Sequence, residues 1–284
     1  MNYFILHCIV FIWGFTGILG DVISLKAEQL VWYRMWMAAL ALILYNLCTR
    51  QHMFIIKGSW KRISLASLFV ALHWVLFFGS IKASNISIGV VCMSTQAFMI
   101  SLIQPLVKKT RVRPHEIILG LFVIVAMVII FGFEYKYKTG ILLGLGSSFF
   151  AVLFTILNAR LTKELPATVI AGWEMGIGAL LLTVYLFATG QMDVGPLTLK
   201  GYDLSYLLIL SIVCTALAFA VSVNIMKKLS AYTVSLSVNL EPVYTILLAL
   251  AIFGSREHMS AGFYAGTGIL LLTVLAEPLF SSKK

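Results

Sequence analysis

Ten runs of mostly apolar residues, each near the length that crosses a lipid bilayer, take up almost the whole chain. A spanning helix needs about 20 such residues. The runs at 3–20, 30–47, 63–81, 86–107, 117–133, 140–158, 167–188, 204–226, 231–253 and 261–279 leave only short connectors between them. In hydrocarbon every backbone N–H and C=O needs a partner within the protein, so runs of this length are expected to be helices. The expected fold is an all-α polytopic membrane protein with ten transmembrane helices. With 61% hydrophobic and 11% charged residues, the 284-residue chain lies outside the range of soluble domains. The first run is expected to be retained. It has no basic stretch before Tyr3, and Gly20-Asp21-Val22 is a poor cleavage site.

The net charge of +10 is distributed as a membrane protein requires. With the N-terminus inside, fourteen Lys and Arg fall on inner loops, among them Arg50, Lys57, Lys61, Arg62, Lys108, Lys109, Arg160, Lys227 and Lys228. Six fall outside: Lys26, Lys82, Lys136, Lys138, Lys200 and Arg256. This follows the positive-inside rule and leaves no basic patch for nucleic acid. It places both termini in the cytoplasm, with the inner membrane of a bacterium as the expected location. The cysteines Cys8, Cys48, Cys92 and Cys214 lie far apart within apolar runs, without metal or disulfide spacing. They read as small packing residues, and no cofactor or metal is expected.

Sliding the chain by 145 residues aligns Ala71, Leu72, Lys82 and Arg111 with Ala216, Leu217, Lys227 and Arg256, and sets Gln96 on Glu241. Five runs fall in each half, 1–136 and 137–284. An odd number of spans reverses the second half relative to the first. The pattern predicts a 5+5 inverted repeat around a central cavity, an architecture of transporters that open alternately to either side. Glycines repeat as 140, 144, 146 in the sixth run and 262, 266, 268 in the tenth. Such spacing lets helices approach closely in lipid, and it reads as packing within the chain rather than between two copies.

Ionisable side chains within spans are costly, at least ~2.5–3.5 kcal/mol at the helix centre, and are the sharpest pointers to function. Arg34, Glu174 and Glu241 carry charge, and His73 adds a mid-span ring. At about 1.5 Å per residue, Glu241 lies near the bilayer midplane, with Arg34 and Glu174 in opposite leaflets. Glu241 has two open readings, an ion pair with Arg34 and a proton or substrate site. Pro242 removes the donor for the Val238 carbonyl, so Asn239, Glu241 and Pro242 suggest a broken helix beside a cavity. Pro105 suggests a weaker break near the inner end of the fourth run. Trp13, Thr16, Trp74, Ser94, Asn158, Trp173, Ser222, Asn224 and Tyr244 are further candidates, each of which would serve equally as a helix-packing residue.

At these residues the chain resembles the drug/metabolite transporter superfamily, in its EamA-like ten-helix branch. The resemblance rests on Trp13-Gly14-Phe15, Arg34, the Lys-Leu-Ser stretch 228–230, and Asn239-Leu240-Glu241-Pro242-Val243. It implies two five-helix repeats around a cavity lined by spans three, four, eight and nine with parts of one and six. It also implies transport of small organic solutes such as amino acids, other metabolites or drugs. Relatives often carry proline where the fourth run reads Thr95-Gln96-Ala97, so a symmetric pair of helix breaks is not expected.

The expected function is a secondary transporter of small organic solutes, working as an exporter. Trp13, Trp74 and Tyr244 would supply apolar surface; Thr16, His73, Gln96, Asn158, Asn224 and Asn239 polar contacts; and Glu241 a coupling proton or a partner for a substrate amine. Arg34 and Glu174 are the other ion-pair or proton candidates. A flippase for a lipid-linked intermediate is the alternative on the same architecture. An enzyme is not expected, since no metalloprotease-type or Ser/His/Asp cluster is present, and the chain lacks a GxxxxGK[ST] loop for ATP. Expected partners are a small-molecule substrate and the bilayer, with a coupling proton as candidate, and the protein would act as monomer or homodimer.

Overall fold

The computed structural model describes residues 2–51, 53, 58–109, 114–192, 199–238 and 240–281. Every apolar run is helical. In chain order the helices are α1 Asn2–Val22, α2 Ala27–Cys48, α3 Trp60–Ala83, α4 Ile86–Met93, α5 Gln96–Lys108, α6 Pro114–Phe133 and α7 Lys138–Leu161. Then follow α8 Ala167–Ala188, α9 Asp203–Leu208, a π-helical segment Ile209–Leu217, α10 Ala218–Ile225, α11 Ala231–Val238, α12 Glu241–Phe253 and α13 Ala261–Ser281. Seven helical stretches among the described residues are long and apolar enough to cross a membrane, and 117–133, 241–253 and 261–273 are shorter apolar helices. The outward surface carries Phe4, Leu44, Leu106, Val184 and Leu272, all more than half exposed. An outer surface this apolar requires lipid around it. The protein is an integral membrane protein.

Close helix pairs run α3 on α7, α2 on α8, α6 on α13, and α1 on α12. Glycine decides three of these contacts. A Cβ on Gly144 would fall 2.7 Å from the Cys92 Cβ, and one on Gly140 would fall 2.6 Å from the Ser84 Cβ. The first glycine pattern therefore seats α7 against α3 and α4. In α13, a Cβ on Gly266 would meet the Ala126 carbonyl oxygen at 2.9 Å. Both patterns serve packing within the chain, except at Gly268, whose Cβ would meet open space. Gly14 in the Trp13-Gly14-Phe15 stretch does the same for α1 against α12, where its Cβ would lie 3.2 Å from that of Tyr244.

The fourth span departs from expectation. It breaks into α4 and α5 with no proline at the junction. Local hydroxyls explain this. The Cys92 carbonyl accepts the Thr95 N–H at 3.2 Å, the Thr95 hydroxyl at 2.7 Å and the Ser148 hydroxyl from α7 at 2.8 Å. Side-chain donors have taken over a carbonyl that a continuous helix would offer to Gln96. The ninth apolar run breaks as expected: Pro242 has no N–H, and the Leu240 N–H bonds back to the Ser237 carbonyl at 3.1 Å. The second half-helices start at Gln96 and Glu241, equivalent positions in the 145-residue register. The breaks are therefore symmetric, against expectation. Pro105 does not interrupt α5, which continues to Lys108.

On one side of the protein Arg62 grips Glu164 with both guanidinium nitrogens, at 2.6 and 2.7 Å, and the Ser59 hydroxyl adds a third donor. Those hydrogen bonds, from Arg62 first and Ser59 second, hold the Glu164 carboxyl below its ordinary value of 4.5. A depressed folded value means that the stabilisation is present above the unfolded value and is lost as pH falls through the folded one. The pair is about one-third exposed, so the effect is small. Glu164→Gln is expected to cost under about 1 kcal/mol at neutral pH. The difference from wild type should vanish in acid, as thermal melts across pH would show.

Candidate functional site

A cavity of about 70 Å³ lies where the two broken helices meet α1, α3, α7 and α10. At roughly 10–15 Å³ for each water, it holds about five. Its walls include Trp13 and Thr16 from α1, Arg34 from α2, His73, Trp74 and Phe77 from α3, and Met93 and Gln96 at the first break. Phe154 and Thr155 of α7, Phe219 and Ser222 of α10, and Ser235, Val238 and Glu241 at the second break complete it. Six predicted cavity residues are thus brought together: Trp13, Thr16, His73, Trp74, Gln96 and Glu241. Arg34 joins them.

Arg34 is only 2% exposed. Its Nε donates to the Thr215 hydroxyl at 2.5 Å, and its guanidinium carbon sits 3.9 Å from the Trp74 ring centroid. A guanidinium over an aromatic face is attracted by the ring quadrupole, which offsets part of its desolvation. Thr215 donates onward to the Leu210 carbonyl at 2.7 Å, and the Trp13 indole N–H bonds the Cys214 carbonyl at 3.0 Å. Both anchors lie in the π-helical segment. Arg34 and Glu241 line the same cavity, yet no direct salt bridge joins them among the described residues. Arg34 Nη1, the Thr16 hydroxyl and the Ser235 hydroxyl are buried without a partner among the described residues. Groups left this way are built for a ligand or water.

His73 Nδ1 lies 3.1 Å from the Ser147 carbonyl oxygen. The Ser147 hydroxyl lies closer to the same nitrogen, at 2.8 Å, so Ser147 holds the ring through both its backbone and its side chain. Around it, Phe77, Phe154, Phe219 and Trp74 pack ring to ring, with centroids 5.4–6.3 Å apart. The site joins an aromatic wall to a short polar floor, an arrangement suited to a small molecule with an apolar body and a polar head.

Other predicted residues lie elsewhere. Asn158 is buried against Glu174, its Nδ2 donating to Oε2 at 3.2 Å, and neither lines the cavity. Asn224 is exposed in a separate surface groove of about 520 Å³, with Gln51 and Lys227. Tyr244 turns towards α1, its ring 5.5 Å from Phe11. Trp173 bonds the Met53 carbonyl and stacks edge-on with Trp60. Asn239 lies outside the described residues. Phe77, Met93, Phe154, Phe219 and Ser235 were not singled out by polarity or charge. The repeat register is the signal that finds most of them. Trp74 and Phe219, Phe77 and Ser222, Met93 and Val238, and Gln96 and Glu241 are each 145 residues apart and all line the cavity.

A Bacillus subtilis (strain 168) protein described as the uncharacterized transporter YwfM is 24% identical over 273 residues, spanning 93% of this chain and 89% of that one. A protein of known crystal structure superposes over 100% of this chain and 99% of its own, with a TM-score of 0.74 at 15% identity, which shows a shared fold. The profile described as the EamA-like transporter family matches residues 1–132 and 138–276. The chain therefore belongs to the EamA-like transporter family, within the drug/metabolite transporter superfamily.

Proposed function

We propose that this membrane transporter exports small organic solutes by alternating access, with the cavity between the two broken helices as its binding site. The observation that carries this reading is the placement of Gln96 and Glu241. Each opens a second half-helix, each is buried at the cavity, and the two are equivalent in the repeat register. The reading takes all ten apolar runs as spans, grouped as two inverted five-helix repeats, 1–136 and 137–284. The paired contacts support it. α1 on α12 answers α7 on α5, and α3 on α7 answers α10 on α1, when the halves are exchanged.

In the cycle, the aromatic wall takes the apolar part of the solute while Arg34, Thr16, Gln96 and Ser235 bind its polar part. Glu241 exchanges a proton or pairs with an amine. The cavity is far smaller than the ~300–1,000 Å³ of a drug-sized site, so one set of helices must part to admit a solute. Rocking of one repeat on the other supplies that motion. We place the protein in a bacterial inner membrane as monomer or homodimer, with both termini cytoplasmic. A cysteine at Lys109 is then expected to react with an impermeant maleimide only after the membrane is opened; labelling of intact cells would reverse the topology.

One observation favours the lipid-linked alternative. The surface groove is apolar along Leu42, Ala216 and Ala220 and ends in Asn224 and Lys227, the profile of an acyl chain with a headgroup. The deciding experiment loads cells with labelled metabolites and, in parallel, vesicles with a fluorescent lipid-linked sugar. Faster loss of a metabolite from cells carrying the protein supports export; movement of the lipid alone makes the flippase reading the correct one.

A further inference from the structure

Glu174 and Asn158 pose a hydrogen-bonding problem that the cavity does not answer. Both are fully buried, and a single bond joins them, from Asn158 Nδ2 to Glu174 Oε2. The other oxygen of each side chain, Asn158 Oδ1 and Glu174 Oε1, is buried with no partner among the described residues. A carboxylate oxygen and an amide oxygen only accept, so they cannot satisfy each other. Nor is the charge met. α8, which carries Glu174, packs on α2, α3 and α10. Arg34 of α2 is committed to Thr215 and Trp74, and Arg62 of α3 to Glu164. On α7, Arg160 donates to the Val107 carbonyl, while His73 of α3 is held on Ser147. α10 carries no ionisable side chain.

We propose that Glu174 and Asn158 form a proton-binding site, separate from the cavity, in which Glu174 is the neutral carboxylic acid. A proton on Oε1 donates to Asn158 Oδ1 while Asn158 Nδ2 donates to Oε2, closing a ring of two hydrogen bonds. One proton satisfies both orphaned oxygens and removes a buried charge that no cation among the described residues meets. The ring clasps α7 to α8, the helices flanking the turn at 162–166. Losing the proton would leave a charge and two unsatisfied acceptors at that contact.

Glutamine is the neutral mimic, since its amide donates to Oδ1 and its carbonyl accepts from Nδ2. The purified full-length Glu174→Gln protein is expected to melt with wild type, and Glu174→Ala several degrees lower. At neutral pH the infrared spectrum of wild type should show a carboxylic-acid C=O stretch that Glu174→Gln lacks and Glu241→Gln retains. Three results would overturn the site: carboxylate bands lost instead in Glu174→Gln, a melt as low as that of alanine, or failure of Glu174→Gln to accumulate folded.

Discussion

Replacing Glu241 by glutamine is expected to abolish transport, to the level of cells without the protein, while leaving the fold and its membrane level intact. The fold survives because the break depends on Pro242 and the Leu240–Ser237 bond, neither of which involves the carboxylate. No salt bridge among the described residues is lost with the charge. Glutamine keeps the shape and can still hydrogen-bond, so what disappears is the ability to carry a proton or neutralise a cation. The first half already holds glutamine at the equivalent position, Gln96, which shows that the geometry accepts an amide. The measurement is efflux or uptake of a labelled solute at matched expression. Undiminished transport would take Glu241 out of the mechanism and leave Arg34 as the one fully charged group in the cavity to examine.

Gly144→Val is expected to be the most damaging small substitution in the helix packing. The added Cβ would meet the Cβ of Cys92 at 2.7 Å, its sulfur at 3.0 Å and the Ser80 hydroxyl at 3.1 Å. None of these is the far end of a long side chain, so α7 must move off α3 and α4. Overpacking of this kind costs about 1–3 kcal/mol, and a β-branched residue leaves little rotamer freedom to escape it. The Ser148 and Cys92 partners of the α4 break sit on the same face, so transport should fall together with thermal stability. Gly268→Ala is the control. Nothing lies within 4 Å of its Cβ, and alanine in a helix is favoured over glycine by about 0.5–1 kcal/mol. It should melt at or above wild type. If both variants behave alike, close packing at Gly144 is not what holds α7 in place.

Much of this architecture was legible in the sequence because lipid leaves the backbone so few choices. Apolar runs of span length had to be helical, and the intramembrane charges at Arg34 and Glu241 had to lie inside. Pro242 marked its break by removing a donor. The break at Ser94-Thr95 was hidden because hydroxyls made it. Thr95 and Ser148 are ordinary residues in a helix until a partner chain segment places them on one carbonyl, and that depends on how closely Gly144 seats α7. The aromatic members of the site were equally silent, since Phe77, Phe154 and Phe219 look like any apolar side chain within a span. Asn158 and Asn224 misled in opposite directions. One is buried on Glu174 and the other lies in a surface groove, because polarity reports that a side chain needs a partner and not where that partner stands.

The two helix breaks differ in permanence. Pro242 can never supply the missing N–H, so the Val238 carbonyl lacks its helical donor in every conformation of the chain. The α4–α5 break is held by two hydroxyl bonds on the Cys92 carbonyl, and each can rotate away. If Thr95 and Ser148 release that carbonyl, Gln96 can reclaim it and the fourth span can straighten into one rod, carrying the Gln96 side chain with it. One half of the molecule is thus a fixed elbow and the other a spring catch. Such a pair gives the two halves unequal freedom to straighten, even where they share one layout.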